Sequence, residues 1–290
     1  MRAGDDRRLL AAYPLPRPLL LEIFAAMNLA FLAVDVSLAH TANFFRDPLE
    51  WVPVLASAIC TLALAIGLFA FRPFNAGAGR WIGLVVGCLA IGVGVAGVVL
   101  HLESQFFQAL TLRSLVYSAP FAAPLAYAGL GLLLLLNRMV PAESAEWGWW
   151  VVFIALAGFV GNLALSLTDH AQNGFFNPLE WVPVIVSAVA VAFFGVAMSG
   201  PRGRPFLLAL AVVLLLQATT GLLGFVLHLA HLFRAGIAPR DRLLYGAPPF
   251  APLLFTDLAL LAGLGVWDLV KKGVLGAETV EGEPAAARGP

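Results

Sequence analysis

Four of the five histidines in this chain occupy matched places in two related stretches of sequence, and a glutamate follows the same pattern. The run His40-Thr-Ala-Asn-Phe-Phe-Arg-Asp-Pro-Leu-Glu50-Trp-Val-Pro-Val54 lies over His170-Ala-Gln-Asn-Gly-Phe-Phe-Asn-Pro-Leu-Glu180-Trp-Val-Pro-Val184, with ten of fifteen positions identical. Further on, Val99-Leu-His101-Leu102 lies over Val226-Leu-His228-Leu229. Each half therefore offers two imidazoles and one carboxylate: His40, Glu50 and His101 in the first, His170, Glu180 and His228 in the second. Two His and one carboxylate form a common ligand set for catalytic zinc and non-haem iron, because three protein ligands leave positions open for water or substrate. Iron, zinc and copper all suit this set, as one dinuclear site or as two mononuclear ones.

Other residues are candidates to support such a site. His231 follows His228 by three residues on the same helical face, whereas its counterpart in the first half is Ser104. Asp35, five residues before His40, and Asp169, directly before His170, could orient an imidazole. Asp257 is an acid inside an apolar stretch, a placement that favours a role as proton relay or partner of a cation. Tyr117 and Tyr245 could donate to a bound oxygen or simply anchor at the interface, as Trp51 and Trp181 are expected to do. The glutamates have a structural reading as well. Asp47-Pro48-Leu49-Glu50 and Asn177-Pro178-Leu179-Glu180 have the form of helix starts, with the cap, the proline and a glutamate completing a capping box.

The elements that carry these residues follow from composition. Apolar residues make up 61% of the 290 and charged residues only 12%, too little charge to cover a soluble domain of this size. Eight apolar stretches read as spanning helices, over residues 18–40, 49–71, 81–102, 115–137, 149–169, 179–199, 206–231 and 249–270. The first is too long for a cleaved leader and is expected to span. Pro53, Pro183, Pro124 and Pro252 are expected to bend helices near the site. Cys60 and Cys88 lie within apolar stretches without metal-clip spacing, which predicts buried structural thiols.

The expected fold is an all-α integral membrane protein, its eight helices forming two tandem parallel four-helix repeats about a pseudo-two-fold axis along the membrane normal. Residues 1–17 form a cytoplasmic N-terminal segment, 18–140 the first repeat, 141–271 the second, and 272–290 a disordered cytoplasmic tail. Of 17 Lys and Arg, twelve fall on the side of the termini and five (Arg46, Arg113, Arg234, Arg240 and Arg242) on the other. The positive-inside rule then places both termini in the cytoplasm of a bacterial-type inner membrane and the six candidate ligands at the extracytoplasmic face. Zero net charge offers no argument for nucleic acid. The expected partner is the bilayer, with a lipid or apolar substrate for a metal-dependent oxidoreductase or hydrolase. Three alternatives compete with it. A metal-ion or small-solute transporter is weakened by the shortage of polar residues near the cytoplasmic side, where Glu22 and Asn28 stand almost alone. A haem protein would use facing histidines as axial ligands, and a structural membrane protein without cofactor would use the motifs only as caps and anchors.

Overall fold

The computed structural model describes residues 16–276 apart from Arg72, Pro201, Arg234, Ala235 and Ile237. The expected N-terminal segment and tail therefore lie outside the described residues except at their inner ends. The chain forms α1 (Arg17–Thr41), α2 (Trp51–Ala70), α3 (Gly77–Glu103), the short α4 (Phe106–Ala109) and α5 (Leu112–Val116), then α6 (Leu125–Met139). It continues through α7 (Ala145–Gln172), α8 (Trp181–Met198), α9 (Arg204–Leu232), the short α10 (Pro239–Tyr245) and α11 (Leu253–Lys271). Single 3-10 turns at Pro48–Glu50 and Pro178–Glu180 lead into α2 and α8. No strand occurs among the described residues.

Seven helices are long and apolar enough to cross a membrane: α1, α2, α3, α7, α8, α9 and α11, with α2 and α8 counted from their 3-10 turns. The eighth apolar helix, α6, has only 15 residues. The expected spans at 115–137 and 249–270 both begin too early. Pro120 and Pro124 in one segment, and Pro248, Pro249 and Pro252 in the other, remove N–H donors and push their predecessors out of helical geometry. The chain before α6 and α11 is accordingly a series of turns, and Pro124 and Pro252 stand at the helix caps instead of bending a helix. Pro53 and Pro183 are third residues of α2 and α8, within the first turn, where proline costs no hydrogen bond.

The exteriors of these helices are as apolar as their cores. On α2, Leu55, Ile59, Leu62, Ile66 and Phe69 are all exposed and follow one another at three- and four-residue steps, a stripe for which only lipid is a fitting solvent. Cys60 is buried, as expected, but Cys88 is exposed among the outward residues of α3. In each half four helices pack in a ring: α1 against α2 and α6, α3 against α2 and α6; then α7 against α8 and α11, α9 against α8 and α11. The halves meet through α6 with α7 and α1 with α11.

Helices α3 and α6 approach so closely that a Cβ on Gly131 would stand 2.5 Å from the Gly87 carbonyl oxygen. Small residues allow such backbone contact between spanning helices. Gly131→Ala is expected to lower the unfolding midpoint in detergent by the equivalent of about 1–3 kcal/mol. Gly92→Ala, on the partner helix α3 with nothing within 4 Å of the new methyl, is expected to leave it unchanged or raise it. Equal effects of the two would refute the close contact.

At the end of the bundle opposite the histidines, Glu22 is not isolated. It accepts two bonds from the Arg138 guanidinium at 2.7 and 2.6 Å and one from the Asn137 amide at 3.2 Å, with 1% of Glu22 and 8% of Arg138 exposed. Beside it Asp268, fully buried, pairs with Arg17 and with Lys272 at 2.6 Å, and Lys272 also donates to the carbonyls of Ala142 and Ser144. These pairs tie α1 to α6 and α1 to α11. Lys272–Gly276 fold back after α11, with Leu275 buried and the Gly276 N–H bonded to the Arg202 carbonyl.

Candidate functional site

The local chain geometry that presents His40 and Glu50 is dictated by a short cap-and-turn unit. Helix α1 ends at Thr41, and the Phe45 N–H bonds back to the His40 carbonyl at 3.3 Å, which requires Phe44 before it in the left-handed region at φ 59°; Phe45 itself follows at φ 47°. Its ring then stacks on Trp51, centroids 4.1 Å apart. The Asp47 carboxylate accepts from the Leu49 N–H at 2.9 Å and starts the 3-10 turn. The second half repeats each step: Phe175 bonds to His170 at 3.1 Å with φ 49°, stacks on Trp181 at 4.0 Å, and Asn177 accepts from Leu179 at 3.0 Å. A phenylalanine held at positive φ is strained, and its recurrence in both halves marks a turn that the adjoining residues enforce. Gly174, at φ 71° in the place of Phe44, was the residue-type signal for a left-handed turn, whereas nothing in the type of Phe45 or Phe175 suggested a backbone role.

The unit brings imidazole and carboxylate together. His40 Nδ1 lies 3.8 Å from Glu50 Oε2, and His170 Nδ1 lies 3.7 Å from Glu180 Oε2. The four side chains are between 12 and 23% exposed. Caps are formed by Asp47 and Asn177 alone; the glutamates do not close the expected capping boxes. Oε2 of Glu50 and Oε2 of Glu180 are both buried and have no hydrogen-bond partner. The separation to the imidazole exceeds the 2.7–3.2 Å of a hydrogen bond. It is nearer the spacing of two ligands on one tetrahedral ion, about 3.4 Å for metal–ligand bonds near 2.1 Å.

His101 and His228 approach from α3 and α9. Each engages Nδ1 with a carbonyl of the proline-rich turn, Pro120 at 2.8 Å and Pro248 at 2.8 Å. With Nδ1–H donating, the lone pair lies on Nε2, the arrangement in which a histidine serves as a ligand. His101 is near enough to His40, and His228 to His170, for their charges to interact. Among the described residues, however, no group of three or more His, Cys, Asp or Glu side chains is close enough to hold a metal ion. The structure thus positions two potential ligands in each half and brings the third near without closing the set.

Glu50 and Glu180, not Asp35 and Asp169, face Nδ1 of His40 and His170. The Phe31 ring of α1 meets Phe250 of the second half at 5.3 Å across the seam between halves, and Asp35, one turn later, is near enough to Tyr127 of the first half for their charges to interact. Asp169 precedes by three residues Gln172, which donates to the Val116 carbonyl across the same seam. Asp257 shares a helical face with Asp268 on α11. The backbone carbonyl of His231 accepts from Arg242 at 3.0 Å. Tyr117 and Tyr245 close the short helices α5 and α10, both well exposed. Tyr127 was not anticipated: its hydroxyl is buried and bonded to Ser57 at 2.7 Å. It occurs in one half only, so the comparison of halves could not single it out. The chain matches no protein-family model, no curated protein and no solved structure.

Proposed function

We propose that the protein is a membrane metalloprotein that holds a transition-metal ion in each half. His40 Nδ1 and Glu50 Oε2 are ligands in the first, His170 Nδ1 and Glu180 Oε2 in the second, with Nε2 of His101 and His228 completing the sets after a small adjustment. The observation that carries this reading is the duplicated pair: the same carboxylate oxygen, buried with no hydrogen-bond partner among the described residues, stands 3.8 and 3.7 Å from an imidazole nitrogen in two places. A buried carboxylate oxygen is costly to leave unpaired, and a bound cation removes that cost.

The same reading makes the chain two parallel four-helix repeats related by a pseudo-two-fold axis, with α6 as the eighth and shortest span. Three features support it: the paired rings of helices, the identical cap units, and the packing of Gly94 on Pro124 and Ala128 as Gly221 packs on Pro252 and Thr256. Both termini are cytoplasmic and the pairs face the extracytoplasmic side of the inner membrane. Incomplete protein coordination leaves room for water or substrate, and the lipid-facing surface around the pairs favours an apolar or lipid substrate for a metal-dependent enzyme.

The test is metal content, with a visible spectrum, of the full chain purified in mild detergent without chelator or histidine tag. Up to two equivalents of iron, zinc or copper are expected, falling below about a tenth of that in the His101→Ala, His228→Ala double variant, since loss of a ligand weakens a site by well over the 10–100-fold seen for outer partners. A monodisperse protein without metal would sink the proposal, and a haem band in its place would transfer the histidines to axial ligation.

A further inference from the structure

The two cap units are near copies, but the layer immediately beneath them is not. In the first half the Ser57 hydroxyl donates to the Pro53 carbonyl at 2.8 Å. The Tyr127 hydroxyl donates to Ser57 Oγ at 2.7 Å, with a longer branch to the same Pro53 carbonyl at 3.2 Å. Pro53 belongs to the first turn of α2, three residues after Glu50. Tyr127 belongs to the first turn of α6, directly after the segment whose Pro120 carbonyl orients His101. A single buried hydroxyl group therefore joins the turn that carries the carboxylate to the segment that sets the second imidazole.

The second half lacks this brace and has a different tie further along the helices: the Gln217 amide of α9 donates to the Val186 carbonyl of α8 at 2.9 Å, where the first half has Ala90. Ser187 is matched to Ser57 and Phe255 to Tyr127. Ser187 Oγ is fully buried with no partner, and the Phe255 ring, 4% exposed, has no hydroxyl to offer it. Pro248 still orients His228, but no side-chain bond from α11 reaches the start of α8 among the described residues. The pair distances are nearly equal, so the halves differ not in where the ligands stand but in the tie at the ligand-bearing turns themselves, present in the first half and absent from the second among the described residues.

We propose that the two metal sites are inequivalent, and that Tyr127 is the positioning residue that makes the first half the tighter one. The inference rests on the metal-binding reading above. A ligand set already held in place loses less freedom on binding than one that must be gathered. The contribution of one buried hydrogen bond corresponds to roughly a fivefold to tenfold difference in affinity between halves.

The measurement is a titration of metal-free full-length protein in detergent with cobalt(II), followed by visible absorption, on wild type, Tyr127→Phe and Phe255→Tyr. Wild type is expected to bind two equivalents in two steps separated by about tenfold, the scale of one buried hydrogen bond. Tyr127→Phe should merge the steps by weakening the first. Phe255→Tyr, which sets a hydroxyl opposite the partnerless Ser187, should merge them by strengthening the second. A gain of affinity is a result that general loosening of the fold does not produce, so the second variant holds the inference to account if the first is unstable. Two equal equivalents in wild type, one ion shared between halves, or a step ratio indifferent to both substitutions overturns the inference and leaves metal binding intact. No bound cobalt in any of the three overturns the metal reading, and this inference falls with it.

Discussion

Replacing Arg138 by alanine is expected to destabilise the protein by about 3–5 kcal/mol, the usual cost of removing one partner of a buried ion pair. Arg138 makes two bonds of 2.7 and 2.6 Å to Glu22, whose carboxylate is 1% exposed and has Asn137 as its other donor. With the guanidinium gone, that carboxylate remains buried between α1 and α6 with one amide to satisfy it. The guanidinium is closely packed: a Cβ on Gly83 would fall 2.4 Å from it, and the Phe74 ring centroid lies 5.0 Å from the guanidinium carbon. The double substitution Glu22→Leu with Arg138→Met removes both charges and keeps similar volume, and it is expected to be neutral or stabilising. Both numbers come from reversible unfolding of the purified chain in mixed micelles. A single-variant loss under about 1 kcal/mol, the range of solvated pairs, would show that the pair is not buried in the working protein.

That pair also shows where sequence reading stops. Glu22 lies early in an apolar run and Arg138 late in another, 116 positions apart, and neither has a counterpart in the other half. A comparison of repeats is blind to contacts that occur once, and for the same reason it passed over Tyr127 with Ser57. What recurs was legible. The cap unit from His40 to Val54 was visible as ten shared residues, and the structure gives it one geometry twice, down to the stacked Phe45–Trp51 and Phe175–Trp181 rings. The long apolar runs gave seven helices within a few residues of their observed ends, because twenty apolar residues have few alternatives in a bilayer. The same apolarity misled before α6 and α11. Hydropathy sums over the prolines at 120, 124, 249 and 252 without registering that they stop a helix from starting earlier, and the span at 115–137 took in the end of the short helix α5. The glutamates posed a different difficulty. A capping box and a metal ligand call for the same residue beside the same Asp-Pro or Asn-Pro, and only the direction of the carboxylate separates them.

That direction leads to a decisive pair of substitutions. Glu50→Gln with Glu180→Gln keeps the shape of each side chain and removes its charge. It is expected to weaken metal binding at least about a hundredfold, beyond the range typical of outer-shell partners, while altering stability little, since neither Oε2 has a hydrogen bond to lose. Asp47→Ala with Asn177→Ala does the opposite. Those side chains accept from Leu49 and Leu179, so their removal should cost about 1 kcal/mol per cap and leave the metal bound. The check is equilibrium dialysis against zinc, with an unfolding curve for each protein. If the glutamine pair kept its metal and lost stability, Glu50 and Glu180 would be helix-start residues and the imidazoles would need another acid. If instead the two effects separate as expected, Asp47 and Asn177 hold the turn, and the glutamates are free to face His40 and His170, where an unpaired carboxylate oxygen is tolerable only with a cation beside it.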